Sequence, residues 1–473
     1  MAGIISYGVH VPRWRISAKC INQAWSIQGG KGETSVANFD EDSLTMGVSS
    51  ALACLKKVDY DEKNIGGLFF ATTTPPYQEK SSAATIATAL DLDSDIRMAD
   101  YGTSLKASTN ALLGAVDSIN SKAANSILVT GSDCRLAEPG SSLETNFGDA
   151  SASILLGNNN LIAEITETYS AFDDIFDLWR RDDDVYVRQD DVRFAQKYGY
   201  EKSVTKAIKG IMDKTGLSTG DFDKLILTPV DRRTHIKTAS KIGFDVKDQL
   251  QDTRIDKIGV CGNPDPFLLL SGALEEAKPG DKILLVSYGD GSDAIFLKVT
   301  EGINKVKNKG GVAREIATTR ELSNYNKYIS FKNLIKGQGP LTKPFSSTTM
   351  AYREKDSNVR LYARECMQCK KVVFLRDIHV CPQCNAQDEY KLIKLTKEAV
   401  LFTYNQEYYY PSPDLPTTIA IVDFPEGARI TTQMTDVNPE NVTINMPVEM
   451  CFRKFHDGNF FHNYFWKCRP ILD

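Results

Sequence analysis

Apolar positions in the first 300 residues follow one pattern that occurs twice. Between Asn110 and Asp133 they recur at helical spacing, break, and continue as an unbroken apolar run, and Phe267–Asp290 repeats that order. A helix followed by a buried strand is expected in both places. Each strand leads through a Gly-Asp pair into a second apolar run, Gly148–Gly157 in the first copy and Gly289–Val299 in the second, which predicts a strand pair inside a sheet. The first copy has extra residues, Cys134–Phe147, expected to form a loop. Upstream, Gly67–Pro76 and Lys224–Val230 read as further strands that end in Thr and Pro. Both halves therefore run strand, connection, helix, strand, strand, which is an α/β pattern with a mainly buried sheet.

Past residue 300 the periodicity fades. Lys, Asn, Gly and Ser rise through 301–358, Asn324–Leu334 forms a short helical patch, and Gly337–Met350 reads as a linker. From about residue 396 five short alternating runs, beginning at Ala399, Thr417, Ala428, Met446 and Phe460, predict a small β-barrel of the OB type.

Composition narrows the function classes. With 42% hydrophobic and 25% charged residues the chain is of ordinary globular type, and 473 residues at roughly 150 per domain give about three units. The balance of 56 Lys+Arg against 61 Asp+Glu offers no global attraction for nucleic acid or an anionic membrane surface. The first residues lack the basic flank and long apolar stretch of a signal peptide, and no run approaches the ~20 apolar residues of a membrane span. A cytoplasmic protein is expected.

Four of the ten cysteines are grouped: Cys366 and Cys369, then Cys381 and Cys384, two Cys-x-x-Cys knuckles with eleven residues between them. Two tight turns at this spacing present four thiolates tetrahedrally, the arrangement Zn²⁺ prefers, and four thiolates leave no open position for chemistry. A structural zinc ribbon is expected, with a redox dithiol as the other reading. The remaining six cysteines are expected to be inert buried thiols.

In the first copy the residues leading into the helix are Thr103-Ser104-Leu105-Lys106, and in the second they are Val260-Cys261-Gly262-Asn263. Counting back from the strands sets Cys261 opposite Leu105, so Cys261 reads either as a nucleophile or as a packed thiol beside a tight turn. His235, with Asp231 to orient it, follows a strand end, where α/β folds gather catalytic groups; it reads either as a general acid or base or as a residue of a helix start. Arg232 and Arg233 could bind the phosphates of a nucleotide-containing substrate. Gly289 begins a Gly-Asp-Gly turn that leads into a strand, better read as close backbone approach to a pocket than as a phosphate loop.

Gly3–Ile16, Val36–Leu52, the Gly262-Asn263 turn and Lys278–Ala294 together resemble the hydroxymethylglutaryl-CoA synthase-like branch of the thiolase superfamily. Cys366–Cys384, Ile421–Val437 and Phe465–Pro470 resemble the zinc-ribbon and OB module called DUF35. The resemblance implies a duplicated thiolase fold in layers αβαβα over 1–165 and 166–335, a linker at 336–358, a zinc ribbon at 359–392 and an OB-fold at 393–473. It also implies coenzyme A thioesters as substrates and Claisen-type carbon–carbon chemistry.

The family's nucleophilic cysteine falls on Leu105, between Ser104 and Lys106. Its glutamate falls near Thr73, its histidine on Thr228, and its asparagine on Asn263. Leucine cannot form an acyl-enzyme. Three readings follow from the resemblance: an enzyme making or breaking a carbon–carbon bond without covalent catalysis, a cysteine-less subunit working with a separate thiolase-like partner, and a CoA-binding protein without turnover. A homodimer paired along the central sheet is the default.

Overall fold

The computed structural model describes residues 2–58, 60–306, 311–335, 345–374, 378–409 and 412–471. The two strand pairs of the duplicated pattern lie in one nine-stranded sheet. Its order is Arg97–Tyr101, Gly67–Ala71, Ser126–Asp133, Ala150–Gly157, Gly3–His10, Ala163–Phe172, Gly291–Val299, Lys282–Tyr288, Lys224–Leu227. Ser126–Asp133 runs antiparallel to Ala150–Gly157 with Asp133 opposite Ala150, and Lys282–Tyr288 runs antiparallel to Gly291–Val299 with Tyr288 opposite Ser292. Gly67–Ala71 and Lys224–Leu227 add in parallel to the first member of each pair. The halves join where Gly3 and Ile4 face Glu164 and Ala163.

Both helices of the repeat, Ala107–Asn120 and Asp265–Glu276, share one core with strands of the two half-sheets. Asp265–Ser271 is buried at every position, so this helix carries an apolar surface all round, as a helix between two sheets must. Pro266 near its start costs nothing, because the first N–H groups of a helix have no internal partner. Helix Ser43–Lys56 packs against Gly3–His10 and Ala150–Gly157, and helix Lys202–Thr215 against Gly291–Val299 and Ala163–Phe172. These contacts complete the αβαβα layering.

The chain divides into two compact units, one of residues 1–38, 42–87 and 92–328, the other of 39–41, 88–91 and 329–473. In the second, Tyr362–Cys366 lies between Val372–Val373 and Tyr390–Lys394 as a three-stranded ribbon. Five strands between Glu398 and Pro470 close into a barrel. Part of the stretch read as a linker is helical, Thr348–Arg353 and Lys355–Asn358; its residues 336–344 lie outside the described ones. Among the described residues no helix is long and apolar enough to cross a membrane.

Candidate active site

The strand ends at Ala71, Asp133 and Tyr288 lead to the N-terminal ends of the two central helices, the side of an α/β sheet where ligands bind. Asp133, the last residue of its strand, is fully buried and holds this region together. Its Oδ1 accepts from the Thr72 hydroxyl (2.9 Å), the Thr73 N–H (2.7 Å) and the Thr73 hydroxyl (3.1 Å). Its Oδ2 accepts from the backbone N–H (2.9 Å) and side-chain amide (3.1 Å) of Asn263. One carboxylate thus fastens the Thr72–Thr74 turn of the first half to the helix start of the second. Sequence reasoning missed it, although a carboxylate closing a strand that starts with the apolar run Ile127–Val129 was a usable signal.

Asn263 crosses to the other helix as well. Its amide also donates to the Ser104 carbonyl (3.2 Å), its Oδ1 accepts from the Ser108 N–H (3.1 Å), and its own carbonyl accepts from the Ser108 hydroxyl (2.7 Å). The resemblance implies that Asn263 helps hold the thioester oxyanion, but with both amide hydrogens committed inside the protein it aligns the two helix tips and has no donor left for that oxygen.

Gly262 stands at φ 89°, and a Cβ there would come 2.7 Å from Asp133 Oδ2. Behind it, buried Asp265 accepts from the N–H groups of Cys261 (3.0 Å) and Gly262 (2.9 Å). Burial pushes the Asp265 carboxyl up to about 6, against the pull of the Gly262 and Cys261 N–H groups and of Arg135.

At the first helix tip, Leu105 is half-buried and lies against Gly289; a Cβ on Gly289 would come 2.7 Å from the Lys106 nitrogen and 3.0 Å from the Leu105 Cβ. Thr103, a β-branched residue, is held at φ 67° just before the tip. Lys106 caps the helix with no side-chain bond to its N–H groups; its ammonium pairs with buried Asp293 (3.1 Å), which also accepts from the Thr109 hydroxyl (2.7 Å). The helix macrodipole makes the tip a place that favours developing negative charge, while the Lys106 ammonium is balanced by Asp293.

The expected proton carrier and thiol are both buried. Cys261 is fully buried in the core, and burial, with Asp265 and Asp149 nearby, lifts its thiol well above the ordinary value; a thiol that stays protonated is no nucleophile. His235 is 3% exposed, within helix Arg232–Ile242. Burial pulls its imidazole down to about 4, outweighing the Leu227 carbonyl and the Asp231 and Asp252 carboxylates, and its Nε2 is buried without a hydrogen-bond partner. A histidine so placed is neutral at pH 7 and lacks the imidazolium proton of a general acid. Asp231 caps that helix by accepting from the Thr234 N–H (2.8 Å) and is held by Gln196 (2.8 Å) instead of orienting a catalytic ring. Arg232 pairs with Asp256 at the surface. Thr228, where the family histidine falls, accepts from the Tyr288 N–H (3.0 Å). Of the six cysteines expected to be inert and buried, Cys20 and Cys134 are only half-buried, and Cys134 directly follows Asp133.

A cleft of about 660 Å³ lined by Tyr60, Lys63, Asn64, Asn125 and Asn158–Asn160 opens at the opposite ends of these strands and contains none of the residues above. In the second unit the four Sγ atoms of Cys366, Cys369, Cys381 and Cys384 lie within 4.8 Å of one another, with Cys366–Cys384 at 3.7 Å and Cys369–Cys381 at 3.6 Å. Four sulfurs about 2.3 Å from a tetrahedral ion stand about 3.8 Å apart, so the cluster fits a metal centre.

Layering, duplication and facing helix tips define a thiolase-type fold, fused to an OB barrel. The chain is 33% identical over 343 residues, 71% of its own length and 98% of the relative's, to the hydroxymethylglutaryl-CoA synthase of Methanopyrus kandleri. It belongs to the hydroxymethylglutaryl-CoA synthase family. Among solved structures it resembles MvaS in complex with 3-hydroxy-3-methylglutaryl coenzyme A (TM-score 0.64, 17% identity, 73% of this chain and 94% of that one). It also resembles an HMG-CoA synthase complexed with CoA (TM-score 0.62, 20% identity, 72% and 92%). Residues 393–453 match the family model of the ChsH2 C-terminal OB-fold domain.

Proposed function

We propose that the chain binds a coenzyme A thioester at the two helix tips and takes part in making or breaking a carbon–carbon bond beside the thioester, without an acyl-enzyme on this helix. The observation that carries the reading is Leu105: a side chain that cannot be acylated occupies the helix tip where the family's nucleophile falls, at a site tied across by Asp133 and Asn263. Family membership supports acyl-CoA carbon–carbon chemistry in general. The negative charge that develops on the thioester oxygen is met by the preorganised helix tip. Ser104, Thr73, Gly262 and Gly289 shape the floor by their backbones.

A second reading, a subunit whose separate thiolase-like partner supplies thiol and base, is favoured by the burial of both Cys261 and His235. The purified chain incubated with acetyl-CoA, analysed by intact mass and by calorimetry, tests the first. Acetyl-CoA binding with no acyl adduct is expected. An adduct, mapped for example to Cys134, would overturn the non-covalent reading, and turnover that appears only with an added thiolase would establish the second.

The cysteine cluster is proposed to hold Zn²⁺ as a structural ion. A homodimer is supported by the edge strand Arg97–Tyr101, which among the described residues pairs only with Gly67–Ala71 and is partly exposed.

A further inference from the structure

Between strand Ala163–Phe172 and helix Lys202–Thr215 the chain leaves the sheet as a finger with ties to several parts of the candidate site. At its base the Asp173 N–H donates to the Asp290 carbonyl (3.1 Å), in the turn whose Gly289 lies against Leu105. Its two sides are joined by reciprocal backbone bonds between Trp179 and Arg188 (3.1 and 2.8 Å). Its far side is tied to the loop that follows Asp133: the Val187 N–H donates to the Leu136 carbonyl (2.9 Å), and Leu178 and Val187 pack on buried Ala137, Leu143 and Phe147.

One side chain reaches the site itself. Arg180 Nη2 donates to the Thr73 carbonyl (2.7 Å), on the same residue whose N–H and hydroxyl are held by Asp133. Thr73 is thereby gripped by Asp133 on one side and by the finger on the other. Arg181 and Arg188 of the same stretch behave differently. Arg181 pairs with Asp184 (2.9 Å), and Arg188 with Glu138 (3.0 Å). Residues 173–191 are rich in aspartate, so an arginine that meets a neutral peptide oxygen instead of a neighbouring carboxylate has been placed there by the docking of the finger.

We infer that the finger 173–194 is a wall of the acyl-thioester site and that Arg180 is the positioning residue that latches it to the Thr72–Thr74 turn. The inference rests on the proposed acyl-CoA reading for what the wall encloses, but the latch itself does not depend on it. A single charge-assisted bond at the surface is weak enough to open for substrate and strong enough to bias the closed form.

Amide hydrogen exchange on the full chain tests the latch in wild type, R180A and R180K. In R180A, exchange at Thr73, Val187 and Arg188 is expected to rise on the order of tenfold, with the thermal midpoint unchanged and partial rescue in R180K. Acetyl-CoA is expected to slow exchange at these amides in wild type, and its Kd to rise several-fold in R180A. Unchanged exchange at those amides in R180A overturns the latch whatever acetyl-CoA does. If wild type shows the latch but no acetyl-CoA binding, the acyl-CoA reading fails and the wall with it, while the latch stands.

Discussion

Asp133 accepts hydrogen bonds from Thr72, Thr73 and Asn263 while fully buried, and this is where a single substitution should cost most. Asp133→Ala leaves several buried donors unpaired at ~1–3 kcal/mol each, so chemical denaturation is expected to show a loss of about 3 kcal/mol or more, together with loss of CoA binding. Asp265 makes a pH signature instead. Its carboxyl, pushed up to about 6 in the folded chain, lies above the unfolded value of roughly 3.9, so folding favours the protonated form. Its contribution is full below pH ~4 and is lost as pH rises through 6; Asp265→Asn should remove that slope from stability measured between those limits. Leu105→Cys separates position from machinery. At the helix tip the new thiol should have a lowered pKa and be alkylated by iodoacetamide faster than Cys261, yet any acetyl adduct should accumulate without turnover, because His235 is buried and neutral.

At the scale of elements, the site is two helix tips and the turns pressed against them. The Gly289 turn meets the backbone of Lys106, which cannot move aside as a flexible side chain would. Gly289→Ala is expected to weaken acetyl-CoA binding at least about tenfold by calorimetry, as the tip is displaced by the overlap, with the sheet intact by circular dichroism. The ribbon is held differently, by knuckles whose backbone turns close on the cysteines. The Lys370 N–H donates to the Cys366 carbonyl (3.0 Å) and the Asn385 N–H to the Cys381 carbonyl (3.0 Å). If the cluster holds zinc as proposed, a chelator should raise hydrogen exchange at Lys370 and Asn385 first, since metal binding and local folding are one equilibrium in such a site.

At the scale of the whole molecule, the second unit contains a buried charge cluster assembled from distant sequence. Lys467 meets Asp40 (2.8 Å), and Arg453 meets Asp436 (2.6 Å) and Glu41. Burial alone would raise the Asp40 carboxyl, but Lys467 and Arg453 outweigh it and hold the group below its ordinary value. Stability from this group is therefore present above the unfolded value near pH 4 and lost as pH falls through the lower folded one. Asp40→Asn leaves Lys467 buried without its counter-charge and should destabilise the second unit by about 3–5 kcal/mol in thermal or denaturant unfolding.

What the sequence determined by itself was whatever short-range spacing encodes. Period 3.6 followed by an unbroken apolar run marked each half of the duplicated fold, period 2 marked the barrel strands, and Cys-x-x-Cys twice marked the metal cluster, because each depends on residues a few positions apart. Counting back from those strands set Cys261 opposite Leu105, and the family resemblance marked Leu105 as the nucleophile's position. What only the tertiary structure decided was which polar groups face the site. Cys261, His235 and Asp231 have residue types fit for catalysis, but burial and capping withdraw them, and Asn263 is used up between two helices. Asp133 and Arg180, separated from their partners by some 60 to 130 residues, became site residues only when the chain closed. Desolvation and hydrogen-bond satisfaction are set by neighbours in space, and a linear pattern carries no record of them.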